Sequence, residues 1–267
     1  MATNLFDLKG KNAVVVGGAG GIGQALAQGL AEAGANVAIS SRKEDSLKTA
    51  QAEIKAASGI DVSYYTVDAA DEASVEALVA AAAKDMGKIE ILVCAQGFNQ
   101  KHNAEAFPMD AFRQMMDVNV TGFMMCAKHF GQHMMKNGYG KMIMLSSVRG
   151  KIATKGPGNA GYCATKGAVD MMTKQLASEF GPYGITVNGI GPNITATPMM
   201  VKIFEQRAKD AGIDVDTYLK EQGAGLPMRR MATPEDCVGS AVFLASPASD
   251  FLTGSILYPD GGLTAIG

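Results

Sequence analysis

The chain is 267 residues long, enough for one large domain with a substantial core and nothing that forces a second. Hydrophobic residues make up 47% and charged residues 19%, and the net charge of −2 gives no electrostatic basis for binding nucleic acid or an anionic membrane. No apolar stretch reaches the roughly 18–20 residues that span a bilayer, and Met1–Asp7 has neither the basic segment nor the apolar core of a signal peptide. Cys94, Cys126, Cys163 and Cys237 lack metal-ligand spacing and read as reduced thiols, so a cytoplasmic protein without a metal is expected.

In chain order, the first apolar run, 12–16, breaks into Gly17-Gly18-Ala19-Gly20-Gly21-Ile22-Gly23, which opens a helix over 21–34. A glycine turn between strand and helix lets backbone N–H groups approach a pyrophosphate, whose charge is favoured at the positive end of the helix. Gly34 closes that helix. Strands follow at 36–40, 62–67, 89–95, 142–146, 186–190 and 255–258, and helical patterns at 44–58, 72–87, 109–137, 162–180 and 234–246. Thr233-Pro234-Glu235 starts the last helix with a cap and a first-turn proline. Alternation of this kind predicts an α/β fold: a parallel seven-stranded sheet with helices on both faces, joined by right-handed crossovers. Residues 1–267 read as one domain. The polar, helical stretch 199–228 is an insertion near the carboxyl end of the sheet, either a lid over a ligand crevice or a surface excursion.

Tyr162-Cys163-Ala164-Thr165-Lys166 opens a predicted helix, and a spacing of four sets phenol and ammonium on one face. A phenol of pKa about 10 exchanges protons poorly near neutrality, and a neighbouring ammonium lowers that value. The pair suits an alcohol–ketone interconversion. Strand 142–146 ends in Ser146-Ser147-Val148-Arg149-Gly150, which puts a hydroxyl at the carboxyl end of a central strand, where ligands bind in such sheets. Asn119 falls in the middle of the helix over 109–137, where an inward-facing asparagine must be hydrogen-bonded.

With Gly17-x-x-x-Gly21-x-Gly23, Asp68, Asn119, Ser147, Tyr162-x-x-x-Lys166, Pro192-Asn193-Ile194-Thr195-Ala196-Thr197 and Thr253-Gly254…Asp260-Gly261-Gly262 in order, the chain resembles the short-chain dehydrogenase/reductase family along nearly its whole length. The resemblance implies a single-domain Rossmann fold and a hydride-transfer enzyme with Asn119, Ser147, Tyr162 and Lys166 as its catalytic set. Tyr162 would exchange the proton with the substrate oxygen. Lys166 would lower the Tyr162 pKa and bond the nicotinamide ribose. Ser147, in preference to Ser146, would orient the substrate oxygen, and Asn119 would hold a water linking Lys166 to solvent. The implied cofactor-binding set is Gly17, Gly20, Gly21, Ile22 and Gly23 at the pyrophosphate, Ser41 and Arg42 after the second strand, and Asp68 and Ala69 at the adenine. It continues with Ala95 and Gly97, then Tyr162 and Lys166, and Pro192, Ile194, Thr195 and Thr197 around the nicotinamide.

Three departures stand out: Val16 where the family has threonine, Cys94-Ala95-Gln96-Gly97 for Asn-Asn-Ala-Gly, and Pro192-Asn193 for Pro-Gly. Asparagine tolerates positive φ, so the last turn can persist with an added polar group. Gln96 is either a contact to substrate or cofactor or a local variation. Ile39-Ser40-Ser41-Arg42-Lys43 offers a hydroxyl and a guanidinium with no carboxylate before Glu44, which favours NADP(H) over NAD(H), the latter still possible.

Candidate substrate contacts are Gln96, Arg149 and Asn193, with Arg149 either pairing with a carboxylate or phosphate or facing solvent. The polar set points to a small-molecule sugar, polyol or hydroxy acid, as in gluconate- and polyol-dehydrogenase-like members. A 3-oxoacyl thioester reductase and a catalytically silent NADP-binding redox sensor are the alternatives. The methionines between Met109 and Met144 read as core and subunit contact, because the family assembles through helices matching 109–137 and 162–180, and a homotetramer is expected, with a dimer as the alternative.

Overall fold

The apolar run Asn12–Val16 forms β1, followed by α1 (Gly21–Glu32), β2 (Asn36–Ser41), α2 (Glu44–Ser58), β3 (Ser63–Thr66), α3 (Glu72–Met86) and β4 (Ile91–Cys94) in a computed structural model that describes residues 4–266. The chain continues through α4 (Met109–Met116), α5 (Gly122–Asn137), β5 (Gly140–Leu145), α6 (Ala160–Phe180) and β6 (Ile185–Ile190). It ends with α7 (Pro198–Ala211), α8 (Val215–Ala224), α9 (Val238–Ala245) and the short β7 (Ile256–Leu257). The seven strands pair in parallel in the order β3-β2-β1-β4-β5-β6-β7. Strand order reverses between β1 and β4, and a crevice opens there at the carboxyl ends.

Successive strand side chains point to opposite faces, and both faces are covered, so the strands are apolar without alternation. Val14 and Val16 pack with Leu78, Phe123, Phe130 and Val169 of α3, α5 and α6. Ala13 and Val15 pack with Leu26, Leu30, Leu47, Ile54 and Leu244 of α1, α2 and α9. Truncating a wholly buried phenylalanine such as Phe123 would cost about 3–5 kcal/mol. No helix among the described residues is long and apolar enough to cross a membrane.

Two helices read as continuous are interrupted. The stretch 109–137 divides into α4 and α5 around a π turn, Asp117–Thr121, and the cause is packing. A Cβ at Gly122 would fall 2.6 Å from Ala69 O, so the helix rests directly on the backbone after β3, while the turn carries Asn119 inward to full burial. Likewise 234–246 starts as a single-turn 3₁₀ segment, Pro234–Cys237, with Thr233 and Asp236 capping each other, before α9. The insertion read over 199–228 is two helices, α7 and α8.

Candidate active site

The carboxyl ends of β1, β4, β5 and β6 border a cleft of about 860 Å³. Its floor at one end is the start of α1. Gly17 takes φ +85, and a Cβ there would lie 2.5 Å from Gln96 N, so only glycine lets the turn pass this close to the β4 loop. Gly17 N and Gly18 N both donate to Ser40 O, at 2.8 and 3.2 Å, which ties the turn to β2. No side chain caps α1 at Gly20, its first turn holds no acidic residue, and a Cβ at Gly20 would meet nothing within 4 Å. Open amides at the positive end of a helix fit a diphosphate.

At the other end Ser147, Tyr162 and Lys166 line the same cleft. Tyr162 and Lys166 lie one turn apart on α6, and Lys166 Nζ sits 5.6 Å from the centre of the Tyr162 ring. Lys166 is 3% exposed and donates to Leu145 O at 2.7 Å, its one protein acceptor among the described residues. Burial pulls its pKa down to about 8, against the opposing field of Asp170. Burial pushes Tyr162 up to about 12, with the Ser147 hydroxyl and the Arg149 guanidinium pulling the other way. Desolvation is the largest influence on the phenol, and Lys166 Nζ is turned to Leu145 O. Ser147 Oγ donates to Pro192 O at 3.3 Å and accepts from Arg149 N at 3.2 Å, so β5 and the Pro192 loop aim it jointly.

Asn119 faces inward and is hydrogen-bonded, as its place in the sequence requires. Its Nδ2 donates to Phe98 O at 2.8 Å and Thr165 Oγ1 at 3.2 Å, and its Oδ1 accepts from Phe98 N at 3.0 Å. Both amide hydrogens are committed, so the side chain clamps the β4 loop to α6. Gly97, at the clamp, is crowded: its φ is +151 and a Cβ there would stand 3.1 Å from Asn119 Oδ1.

Of the expected cofactor residues, Gly20, Gly21, Ile22, Gly23, Ala95, Gly97, Tyr162, Lys166, Pro192, Ile194, Thr195 and Thr197 line the cleft together, as do Gln96, Arg149 and Asn193. Gly17, Ser41, Arg42, Asp68, Ala69 and Asn119 lie outside its lining. Arg42 is exposed beyond β2, and the nearby Glu44 carboxylate is turned to Lys48 at 3.0 Å and Tyr64 Oη at 3.2 Å. Asp68 is exposed and accepts from Ala70 N at 3.0 Å. Gln96 Oε1 is buried without a partner, and Asn193 is 8% exposed.

The sequence reading missed Asp170. This carboxylate is buried, accepts hydrogen bonds from Ser146 Oγ and, at 3.2 Å, from Tyr258 Oη, and has its pKa raised by burial. It crowds Gly150 so closely that a Cβ there would meet Asp170 Oδ2 at 2.3 Å. The signal was available: an acidic residue four positions after Lys166 continues the face that Tyr162 begins.

A sequence model described as enoyl-(acyl carrier protein) reductase matches residues 17–264. The chain is 36% identical over 261 residues to gluconate 5-dehydrogenase of Gluconobacter oxydans (strain 621H), covering 98% of this chain and 97% of that one. It is 34% identical over 262 residues to galactitol 2-dehydrogenase (L-tagatose-forming) of Cereibacter sphaeroides, covering 97% of each. Among solved structures it superposes on a gluconate 5-dehydrogenase from Burkholderia cenocepacia J2315 in complex with NADP and tartrate, with a TM-score of 0.87, 34% identity and all of both chains covered.

Proposed function

The chain belongs to the short-chain dehydrogenase/reductase family, and from that premise we propose that it interconverts a secondary alcohol and a ketone on a polar, polyhydroxylated substrate, with NADP(H) preferred to NAD(H). The observation that carries this reading is one cleft holding the open amides of α1 at one end and Ser147, Tyr162 and Lys166 at the other. Gly17 and Gly20–Gly23 would hold the cofactor diphosphate, Ala95 and Gly97 a ribose, and Pro192, Ile194, Thr195 and Thr197 the nicotinamide. Asp68 and Ala69 would border the adenine. Ser41 and the exposed Arg42 guanidinium would take a ribose 2′-phosphate, since the nearby Glu44 is occupied by Lys48. When bound, the nicotinamide supplies or accepts the hydride.

The residues of the chain handle the proton. With its pKa pushed to about 12, Tyr162 is a protonated phenol at neutral pH, the form that donates to a carbonyl oxygen during reduction. Ser147 Oγ orients the same oxygen. Lys166, charged below about pH 8, stabilises the phenolate that proton transfer leaves behind. Asn119 acts as a positioning residue through Phe98 and Thr165. Thr197 caps α7, and Pro198, Met199 and Met200 reach the cleft, which supports a lid over 199–228. The exposed Met124 and Met171 on α5 and α6 support assembly into a homotetramer through those helices, an arrangement that sedimentation of a micromolar monomer would overturn.

The deciding test follows nicotinamide absorbance with aldonates, polyols, ketones and 3-oxoacyl thioesters, each with both cofactors. We expect turnover of a polyhydroxylated substrate, a higher kcat/KM with NADP(H), and loss of turnover in Tyr162→Phe by about 100-fold or more. Turnover of thioesters alone would replace the substrate class. Tight NADPH binding without turnover of any compound would favour a redox sensor.

A further inference from the structure

The two ends of the cleft differ in charge. Among the described residues lining it, Lys101, Arg149 and Lys166 stand at the Tyr162 end, and the single carboxylate, Glu53, lies on α2 at the other, hydrogen-bonded by Gln24 Nε2 at 2.8 Å. The Tyr162 end is therefore cationic although the whole chain carries a net charge of −2.

Two loops create that end. The segments after β4 and β5 are joined by Asn99 Nδ2 donating to Asn159 Oδ1 at 3.0 Å. Gly158, at φ +96, takes a backbone conformation that favours glycine, and the two loops meet there, 3.5 Å separating a Cβ built on Gly158 from Lys101 Cβ. Lys101 lines the cleft beside this junction and is exposed. Arg149 stands deeper and half-buried, in the single turn Val148–Gly150 that follows Ser147.

The guanidinium of Arg149 is fixed but not neutralised. Its Nη1 donates to Ala153 O at 2.8 Å, which holds one edge of the fork. Arg113 and Arg230 pair with Asp110 and Asp236, whereas Arg149 has no carboxylate within 4 Å among the described residues. A planar fork anchored at one edge and open at the rest is built for bidentate contact with an anion. Its charge is also felt at the reacting phenol, whose pKa it lowers.

We propose, building on the oxidoreductase reading above, that the substrate carries an anionic group, a carboxylate or a phosphate, which Arg149 grips while Lys101 draws it to the mouth. Arg149 follows Ser147 by two residues, so the anionic group and the reacting carbinol belong to one short molecule. Asn99, Thr154 and Asn159 supply partners for the hydroxyls between them.

Three matched compounds test this: gluconate with a carboxylate, glucitol 6-phosphate with a phosphate, and glucitol with neither. Their binding to the NADP⁺-saturated protein and to the protein alone is measured by calorimetry, and kcat/KM is measured in parallel, for the wild type, Arg149→Met and Arg149→Lys. We expect one anionic compound to bind and react in preference to glucitol, and its identity separates carboxylate from phosphate. Arg149→Met should reduce the ratio of anionic to neutral compound roughly 30-fold, mainly through KM, because a hydrogen-bonded charge is lost, and Arg149→Lys should restore part of it. Equal binding of all three compounds by the wild type, or a ratio unchanged in Arg149→Met, would overturn the proposal while leaving the oxidoreductase reading intact. Selective, Arg149-dependent binding without turnover would uphold the anion subsite and overturn that reading instead.

Discussion

Two buried lysines sit at opposite ends of β5 in unlike surroundings. Lys141, near the start of the strand and 1% exposed, bonds Asp250 at 2.8 Å and Ser249 Oγ at 3.2 Å. Lys166, 3% exposed, reaches the far end of the same strand at Leu145 O and has no carboxylate in contact. Burial lowers both pKa values. At Lys141 the Asp250 carboxylate answers burial directly, whereas at Lys166 only the field of Asp170 opposes it and the value falls to about 8. Lys141, which ties β5 to the Asp250 turn, has its charge matched, and Lys166, the lysine we propose for the chemistry, retains unfilled donors in a cleft and a pKa pulled down to about 8.

Replacing Lys166 by Met breaks the comparison hardest. Turnover should fall by about 100- to 1000-fold, because the phenolate loses its stabilising charge. The same variant should be more stable than the wild type near pH 7. The folded pKa lies below the unfolded value of 10.5, so between about pH 8 and 10.5 the unfolded chain holds the extra proton and wild-type stability rises with pH. Relative to Lys166→Met, the wild type should gain up to about 3 kcal/mol across that window, measured by denaturant unfolding at successive pH values. A flat difference would mean that Lys166 keeps its proton in the folded protein up to about pH 10.5, so that burial does not lower its pKa.

Asp250→Ala tests the other end. It strips Lys141 of its carboxylate and leaves a buried charge facing Ser249 and the Tyr139 ring, 5.9 Å away. Asp250 is itself half-exposed, so the expected loss is about 2 kcal/mol of stability, below the range for fully buried pairs, with kcat unchanged in the folded fraction. A fall in kcat without a fall in stability would reverse the roles assigned to the two ends.

The smallest effect belongs to Asp170→Asn, which keeps a hydrogen-bonding side chain beside Ser146 and Tyr258 and removes the charge. Asp170 raises the Lys166 pKa, so its neutral replacement should move the Lys166 titration below about pH 8, seen as an earlier onset of the stability gain. Asp170 is a positioning residue, and a purely structural role would lower stability without moving that onset.

Most of the topology was legible in the sequence because strands buried on both faces are apolar throughout and glycine turns punctuate them. The glycine loop, Ser147 and the Tyr162–Lys166 spacing were legible because local geometry alone brings four-apart residues to one helix face. The break at Asp117–Thr121 was not, since it arises from Gly122 packing on Ala69, residues more than fifty positions apart. Nor were the partners of Asn119, Phe98 and Thr165, which come from two other segments.

By itself, then, the sequence determined the order of strands and helices along the chain, the glycine turn that opens α1 and the setting of Tyr162 and Lys166 on one helix face, all properties of short spacings and periodicity. Only the tertiary structure decided how those groups titrate and what surrounds them. Desolvation depends on everything packed around a side chain, and it pushes Tyr162 up and Lys166 down. The meeting of two loops after β4 and β5 set Lys101 and Arg149 at one end of the cleft and Glu53 at the other, a separation of charge that no spacing along the chain encodes.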